Sequence, residues 1–295
     1  ILRLRRFATE LRDDAFVVGI RERHSAVWSA SGCKGVSLCT FVVLSNWPSE
    51  VPSVGTVPLF TAGRESPAVL SVELHCHSAL SHDGRDPVDL LVEQAAAVGL
   101  DAIAITDHDE IAASIDAAAI AEEHGLVGIV AMEVTSAAGH ILALGIEEAV
   151  PPGLSYDETL EQIHEQGGIA IVPHPFQSSR HGVAAHITDE QLASADAIEV
   201  YNSRLLTGRA NRQAERFATA HGLPKTAGSD AHISEMVGQA VTEVDADERT
   251  VDGVLDAICA GRTSVVGQKT PWRISFRQAA GGAKRRVQRR LQEFL

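Results

Sequence analysis

The sequence predicts an α/β chain whose strands close into a barrel of about seven strands. Three observations carry that reading. From Val72 onward, short apolar strands alternate with amphipathic helices, one unit about every 30 residues. Clusters of histidine and acid fall at or just after the C-terminal ends of those strands. The first and last clusters, at His75 and Asp230, carry the same one-residue spacing although a barrel's length of chain separates them. A closed barrel gathers strand ends around one mouth, whereas an open sheet would spread them along an edge.

Residues 1–70 precede the alternation. They begin with Ile1, mix charges, and place Pro48, Pro52, Pro58 and Pro67 before the first strand. They read as an extension or linker, either poorly ordered or with an amphipathic helix over about Leu2–Phe16. The repeating units follow over 71–270: "SVELHCH", a helix near Pro87–Val98, "AIAIT", a helix near Ile111–His124, and "LVGIVAMEV". Next come "HILALGI", a helix near Ser155–Gln166, "IAIVPHP", a short helix near Asp189–Ala193, "AIEVYN" and a helix near Gly208–His221. "TAGSDAH" leads into the last helix, near Thr250–Ala260. Such alternation predicts a parallel sheet with crossover helices. Residues 271–295 form a basic tail, with arginines spaced for one helical stripe between Lys284 and Arg290.

The net charge of −14 is unevenly distributed. Residues 71–270 hold 10 Lys/Arg against 32 Asp/Glu, while residues 271–295 hold 7 against 1. So acidic a central region repels polyanions at long range, which excludes long duplex nucleic acid and leaves a small phosphorylated substrate or nucleotide as the expected partner. Only four lysines occur, a composition suited to a high-salt cytoplasm. Cys33, Cys39, Cys76 and Cys259 show no paired metal spacing, which points to a reducing compartment rather than a disulfide framework. The apolar run Val36–Leu44 is too short to span a membrane, and no signal-peptide pattern precedes it. The expected location is cytoplasmic, with no membrane partner.

The candidate chemistry lies in nine residues: His75, His77, Asp83, His108, Glu133, His140, His174, Asp230 and His232. Neutral imidazoles and ionised carboxylates are metal ligands at neutral pH without large pKa costs. Strand alternation turns His75 and His77 to one face and Cys76 away from them. Asp230 and His232 repeat the device. This many ligands implies a dinuclear or larger centre. His124 and His221, each preceding a glycine at a helix end, read as caps instead. His164 reads as exposed on its helix, and His24 gets no role.

Taken in order, "ELHCHSALSHDG", "AIAITDHDEI", "AMEV", "GHILALGI", "IVPHP", "IEVYN" and "TAGSDAH" closely resemble the polymerase and histidinol phosphatase (PHP) family of metal-dependent phosphoesterases, over about residues 72–270. The resemblance implies a distorted (β/α)7 barrel holding two to three divalent ions, Mn, Zn or Fe, at its C-terminal mouth. Carried over motif by motif, His75, His77, Glu133 and Asp230 would hold one ion. Asp83, His108 and His232 would hold a second, and Glu133, bridging, would complete a third with His140 and His174. Amidohydrolase barrels also open with "HxH" but commonly bridge their metals with a modified lysine. This chain has no lysine between residues 71 and 224, so a carboxylate must bridge, which disfavours C–N hydrolysis.

The expected activity is hydrolysis of a phosphomonoester or nucleotide phosphodiester by water that the ions activate. No side-chain nucleophile is needed, and no "GxSxG" motif occurs. Arg180, Asn202 and Arg204 are the expected substrate-binding residues, because a guanidinium matches two phosphate oxygens at once. Asp107 and Asp109 either orient His108 or cap the following helix. His82 is read as solvent-facing, with proton donation as its other role. The alternatives are a non-catalytic metal-binding module that engages a partner, and an amidohydrolase-type enzyme.

Overall fold

The computed structural model describes residues 7–11, 15–22, 25–31, 68–205 and 208–271, the first three segments and Ala68 by their backbone alone. The chain divides into two units, 1–64 and 65–295. In the first, β1 (Phe7–Leu11), β2 (Ala15–Glu22) and β3 (Ser25–Ser31) form an antiparallel sheet in the order β1-β2-β3. Where the helix expected over Leu2–Phe16 falls on described residues, Phe7–Leu11 and Ala15–Phe16, the structure has strand instead. Leu11 pairs with Ala15, and the sequence between them holds Asp13 and Asp14, residues unfavourable in helix interiors. The segment 32–67 and the basic stripe Lys284–Arg290 lie outside the described residues.

The second unit is a nine-stranded sheet rolled into a nearly closed barrel, in the order β10-β9-β8-β7-β6-β5-β4-β11-β12. The strands are β4 (Ala68–Glu73), β5 (Ala102–Ile105), β6 (Val127–Thr135), β7 (His140–Leu144), β8 (Ile169–Val172), β9 (Ala197–Asn202), β10 (Lys225–Gly228), β11 (Ala240–Ala246) and β12 (Thr263–Gly267). The helices are α1 (Val88–Ala97), α2 (Ala112–Glu123), α3 (Tyr156–Glu165), α4 (Asp189–Leu192), α5 (Arg209–His221) and α6 (Val251–Cys259). Every helix that the sequence predicts within residues 71–270 is present within a residue or two of its expected ends.

The sheet is not uniformly parallel, and this corrects the simple crossover expectation. β4-β5, β5-β6, β8-β9 and β9-β10 pair in parallel. β7 runs antiparallel to both β6 and β8, and β11 runs antiparallel to both β4 and β12. The reason is chain length. Only Ser136–Gly139 separates β6 from β7, and a parallel crossover needs a dozen residues or more. The hairpin turns on Ser136, whose hydroxyl donates to the Gly139 carbonyl at 2.6 Å. Because β7 is reversed, its first residue, His140, lies at the same rim as the ends of its neighbours.

Small and branched side chains fill the barrel: Val72, Ala102, Ala104, Ile129, Ala131, Leu142, Ile171, Ala197 and Val244 form one buried cluster with Val254, Leu255 and Ile258 of α6. Leu255 abuts Gly145, just past the far end of reversed β7, so α6 closes the end of the barrel opposite His140. Outside the sheet, α1 and α2 cover one apolar cluster that includes Ile103 and Ile105. α3 and α5 cover another, around Ile141, Val172 and Ile198.

Side-chain hydroxyls join β10 to β11 and β12 where the backbone ladder lapses. Thr242 Oγ1 accepts the Ala227 N–H at 2.9 Å and donates to the Ala227 carbonyl at 3.0 Å, while Thr263 Oγ1 donates to the Lys225 carbonyl at 2.7 Å. Thr242 is fully buried, so water cannot replace it. Thr242→Val keeps the shape but strands both polar groups of Ala227. It is expected to lower unfolding stability by about 1–3 kcal/mol in urea titrations, with helix content unchanged.

Candidate metal centre

The two one-residue-spaced motifs lie side by side. Cys76 and Ala231 form a parallel bridge, and the His77 N–H donates to the Ala231 carbonyl at 2.7 Å. Alternation then sends His75 and His77 into the barrel mouth beside Asp230 and His232, while Cys76 points outward and donates its Sγ–H to the Ala104 carbonyl at 3.3 Å. Glu73 shares the parity of His75 and His77 and is also buried, a ligand-supporting residue that the sequence reading passed over although the period-2 signal held it.

All nine candidate ligands converge, and Glu133 is their hub. Its Oε2 lies 3.3 Å from His75 Nε2, 3.2 Å from His77 Nε2 and 3.4 Å from His108 Nδ1. Its Oε1 lies 2.8 Å from His140 Nδ1 and 3.5 Å from His174 Nε2. Asp83 Oδ2 sits 2.6 Å from His232 Nε2, and Asp230 Oδ1 3.3 Å from His232 Nδ1. Ligand atoms lie within 4.8 Å of one another in five trios, among them His75–His77–Glu133, His77–Asp83–His108 and His108–Glu133–His140. His174 groups with His75 and Asp230 as well as facing Glu133.

The donor set fits divalent ions. Buried polar atoms of His77, His108, Glu133, His140 and His174 have no hydrogen-bond partner, although His140 Nδ1 and Glu133 Oε1 stand only 2.8 Å apart. Buried polar groups are normally satisfied, and the residues that carry these unpartnered atoms are Glu133 and four of the imidazoles around it. A cation among them would satisfy lone pairs that no proton donor reaches. The electrostatics agree. Burial alone would raise the Glu133 carboxyl, but His75, His108 and His140 outweigh it and hold the group well below its ordinary range. Burial likewise opposes ionisation of Asp230, yet Arg204 and Arg180 keep it well below. Burial, helped by nearby His232, pushes His77 down to about 4, which leaves its ring neutral with a lone pair to give.

A second layer fixes the first. Glu199 Oε1 is 2.9 Å from His75 Nδ1, which turns His75 Nε2 toward Glu133. The other oxygen of Glu199 accepts the His174 N–H at 2.9 Å and the Asn202 amide at 3.0 Å. Glu73 accepts N–H groups of His75, Ser229 and Gly238 and so ties the first cluster to the last. His232 Nδ1 lies 2.8 Å from the Asp230 carbonyl, which turns Nε2 toward Asp83 at 2.6 Å and Arg204 Nη1 at 2.8 Å. Gly228 permits this packing: a Cβ there would fall 2.4 Å from His75 Cβ and 2.5 Å from Glu199 Oε1. Asp109, His174, His181 and Asp230 all hold left-handed backbone, with φ between 35° and 56°, a strain that concentrates at functional sites.

Two expected roles change. Asp107 accepts from the Ser78 N–H and hydroxyl, and Asp109 accepts the Thr135 N–H at 2.7 Å. Neither orients His108, and α2 has no side-chain cap. They pin the first ligand loop and the β6 hairpin instead. As expected, His124 caps α2 and His221 ends α5, each followed by a left-handed glycine. His164 is exposed on α3, with Nε2 2.8 Å from Asp196.

A cavity of about 570 Å³ opens over the cluster, and Arg180, Arg204, His82 and His181 join the ligands in its wall. Arg180 Nη1 lies 2.7 Å from Asp230 Oδ2, and Arg204 Nη1 lies 2.9 Å from Asp230 Oδ1. Asn202 is buried outside that wall, its amide given to Glu199 and Asp230. The His82 ring stacks 4.7 Å from His108, and His181 lies 4.9 Å from His140. Glu199→Gln is expected to weaken metal binding about 10- to 100-fold while the barrel still melts cooperatively, because an amide sets a donor against donors. Metal titration of the purified variant checks this.

Known proteins match this frame. The PHP domain model matches residues 73–215, and the PHP-associated model matches residues 208–263. An uncharacterized protein of Methanocaldococcus jannaschii, MJ1587, is 32% identical over 145 residues, which cover 45% of this chain and 82% of that one. A PolC-type DNA polymerase III of Staphylococcus aureus is 34% identical over 158 residues, 43% of this chain but 11% of the polymerase. Among solved structures, a two-domain protein of Bacteroides vulgatus that contains a predicted PHP-like metal-dependent phosphoesterase superposes with a TM-score of 0.59 at 24% identity, covering 68% of this chain and 65% of that one. With its motifs in order, its candidate ligands gathered at one mouth and both models matched in succession, the chain belongs to the PHP domain family.

Proposed function

We propose that the chain is a metal-dependent phosphoesterase that hydrolyses a phosphomonoester or a nucleotide phosphodiester with water as nucleophile. The observation that carries this reading is the ring of orphaned buried donor atoms around Glu133, under a cavity that also presents two guanidinium groups. His75, His77, Glu133 and Asp230 are assigned to one ion, Asp83, His108 and His232 to a second, and Glu133, His140 and His174 to a third. Bound Mn, Zn or Fe would supply Lewis acidity toward a phosphoryl oxygen and lower the pKa of water.

The protein's own groups do the rest. Arg180 and Arg204 are the cations that a substrate phosphate meets, each placed on one oxygen of Asp230. Asn202 acts by holding Glu199 and Asp230 in place rather than by touching substrate. His82 and His181, stacked on ligand imidazoles at the rim, flank the cavity where a leaving group departs. Among the described residues no helix is long and apolar enough to cross a membrane, and a cytoplasmic setting belongs to this same proposal.

The test is phosphate release from an aryl phosphate and from nucleotides, with Mn, Zn or Fe supplied in turn. Turnover is expected with at least one metal, and His75→Ala or Glu133→Ala should lower kcat/KM by about 100-fold or more, as loss of electrostatic stabilisation does elsewhere. A protein that binds metal at these residues yet releases no phosphate from any substrate class is a metal-binding module instead. Saturating metal at 100 times its Kd should stabilise the fold by about 2.7 kcal/mol, and chelation should remove that increment in thermal melts. Arg180→Met should raise KM about tenfold or more with metal content unchanged, because it deletes a charge-assisted contact.

A further inference from the structure

We propose that the chain carries a second binding site, for a nucleoside phosphate, outside the barrel mouth and coupled to the metal centre. The site is a cavity of about 530 Å³ bounded by α5, the end of β9, the start of β10 and β12. Its charge departs from that of the surrounding protein. Of the 10 cationic side chains in the acidic region 71–270, Arg212, Lys225 and Lys269 line this one cavity. Glu215 is the single acid in its wall, and it is paired with Lys225 at 2.6 Å. Among the described residues Arg212 and Lys269 have no ion-pair partner, so two uncompensated positive charges face the opening.

The remaining wall fits a planar ring. Val200 and Val265 are apolar, and Tyr201 lies beside Gly267 so closely that a Cβ at that glycine would fall 2.3 Å from the Tyr201 ring. Gly267 therefore lets the aromatic ring lie against β12 backbone. A base stacked on tyrosine, with its phosphates on lysine and arginine, uses every feature of the cavity. A simple inorganic anion would leave the aromatic and apolar wall unused.

A short chain of hydrogen bonds leads inward. Asn211, in the cavity wall, accepts the Asn202 N–H at 3.3 Å and donates to the Asn202 carbonyl at 3.1 Å. The Asn202 amide in turn donates to Glu199 and Asp230, at 3.0 and 3.3 Å, the first of which orients His75. A ligand that tightens α5 against β9 thereby biases the second layer of the metal centre, and linkage requires the effect to be reciprocal.

ADP is the probe, measured by calorimetry on the full chain with its metal. In His77→Ala, which disables the mouth, one ADP site should persist, and Arg212→Glu with Lys269→Glu should weaken that site at least tenfold. The milder pair Arg212→Gln and Lys269→Gln should give an intermediate loss and serves if the reversals unfold. Adenosine should bind far more weakly than ADP, and pyrophosphate at least several-fold more weakly. Binding unaffected by both sets of variants overturns the site, and pyrophosphate binding as tightly as ADP overturns its ligand class. At chelator-buffered Mn²⁺, ADP should shift metal affinity in the wild type but not in the charge-reversed variant or in Asn211→Ala. An equal shift in all three overturns the coupling. All these outcomes are independent of whether the mouth hydrolyses phosphate esters.

Discussion

Burying the Glu133 carboxylate among five imidazoles is the constraint on which the rest of the structure depends. An isolated ion in a protein interior costs several kcal/mol, and a carboxylate without partners would protonate instead. Five imidazoles surround Glu133 within 3.5 Å, and it stays ionised because His75, His108 and His140 among them outweigh its burial. Five elements must therefore end at one point: the turn after β4, the loop after β5, β6 itself, the start of β7 and the loop after β8. A barrel mouth allows that convergence, and the left-handed residues His174 and Asp230 show local backbone strain at the contact.

Two departures from a uniform barrel follow from the same demand. Reversing β7 lets one hairpin bring both Glu133 and His140 to the rim, with no helix between them. Reversing β11 places it between β4 and β12, so the sheet turns back on itself and must join β10 through threonine hydroxyls rather than a ladder. The distortion is thus the way a nine-stranded sheet offers ligands from both strand directions on one rim. α6 then plugs the opposite end with apolar side chains, which keeps the interior dry beneath the charged layer.

Much of this was legible because periodicity and chemistry coincide in the chain. The spacing in "HCH" and "SDAH" set two same-facing pairs, and the structure bridges Cys76 to Ala231 so that those pairs stand side by side. Helix positions were legible from capping and amphipathic signals, as at Ser155 and Glu158, whose reciprocal hydrogen bonds start α3. Strand direction was less so, since "AMEV" and "HILALGI" look alike whichever way they run; only the four residues between them carry the hairpin. The partners of the supporting carboxylates were hidden for another reason. Glu73, Asp107 and Glu199 act by accepting backbone or imidazole protons from residues far along the chain, and no local pattern encodes such partners. The strands at Phe7–Leu11, Ala15–Glu22 and Ser25–Ser31 show the weakness of amphipathic patterns in highly charged sequence.

The charge distribution raises a last question: how a region with 32 acids against 10 bases receives an anionic ester. Screening supplies part of the answer, because at physiological salt a surface charge is felt over about 8 Å, and far less in concentrated salt. Acids on the outer helices are then silent at the mouth. What a substrate meets is the local set, and there the acids of the cluster are already committed: Glu133 to five imidazoles, Asp83 to His232, and Asp230 to two guanidiniums, while Asp109 at the cavity wall accepts the Thr135 N–H. Burial makes these pairings strong, since the same low dielectric that penalises a lone charge reinforces a matched one. The mouth presents itself to an incoming phosphate through Arg180, Arg204 and the ligand cluster, rather than through the protein's net charge. An acidic surface and an anion-receiving centre are therefore compatible, because the carboxylates of the cluster are each matched by a cation or an imidazole.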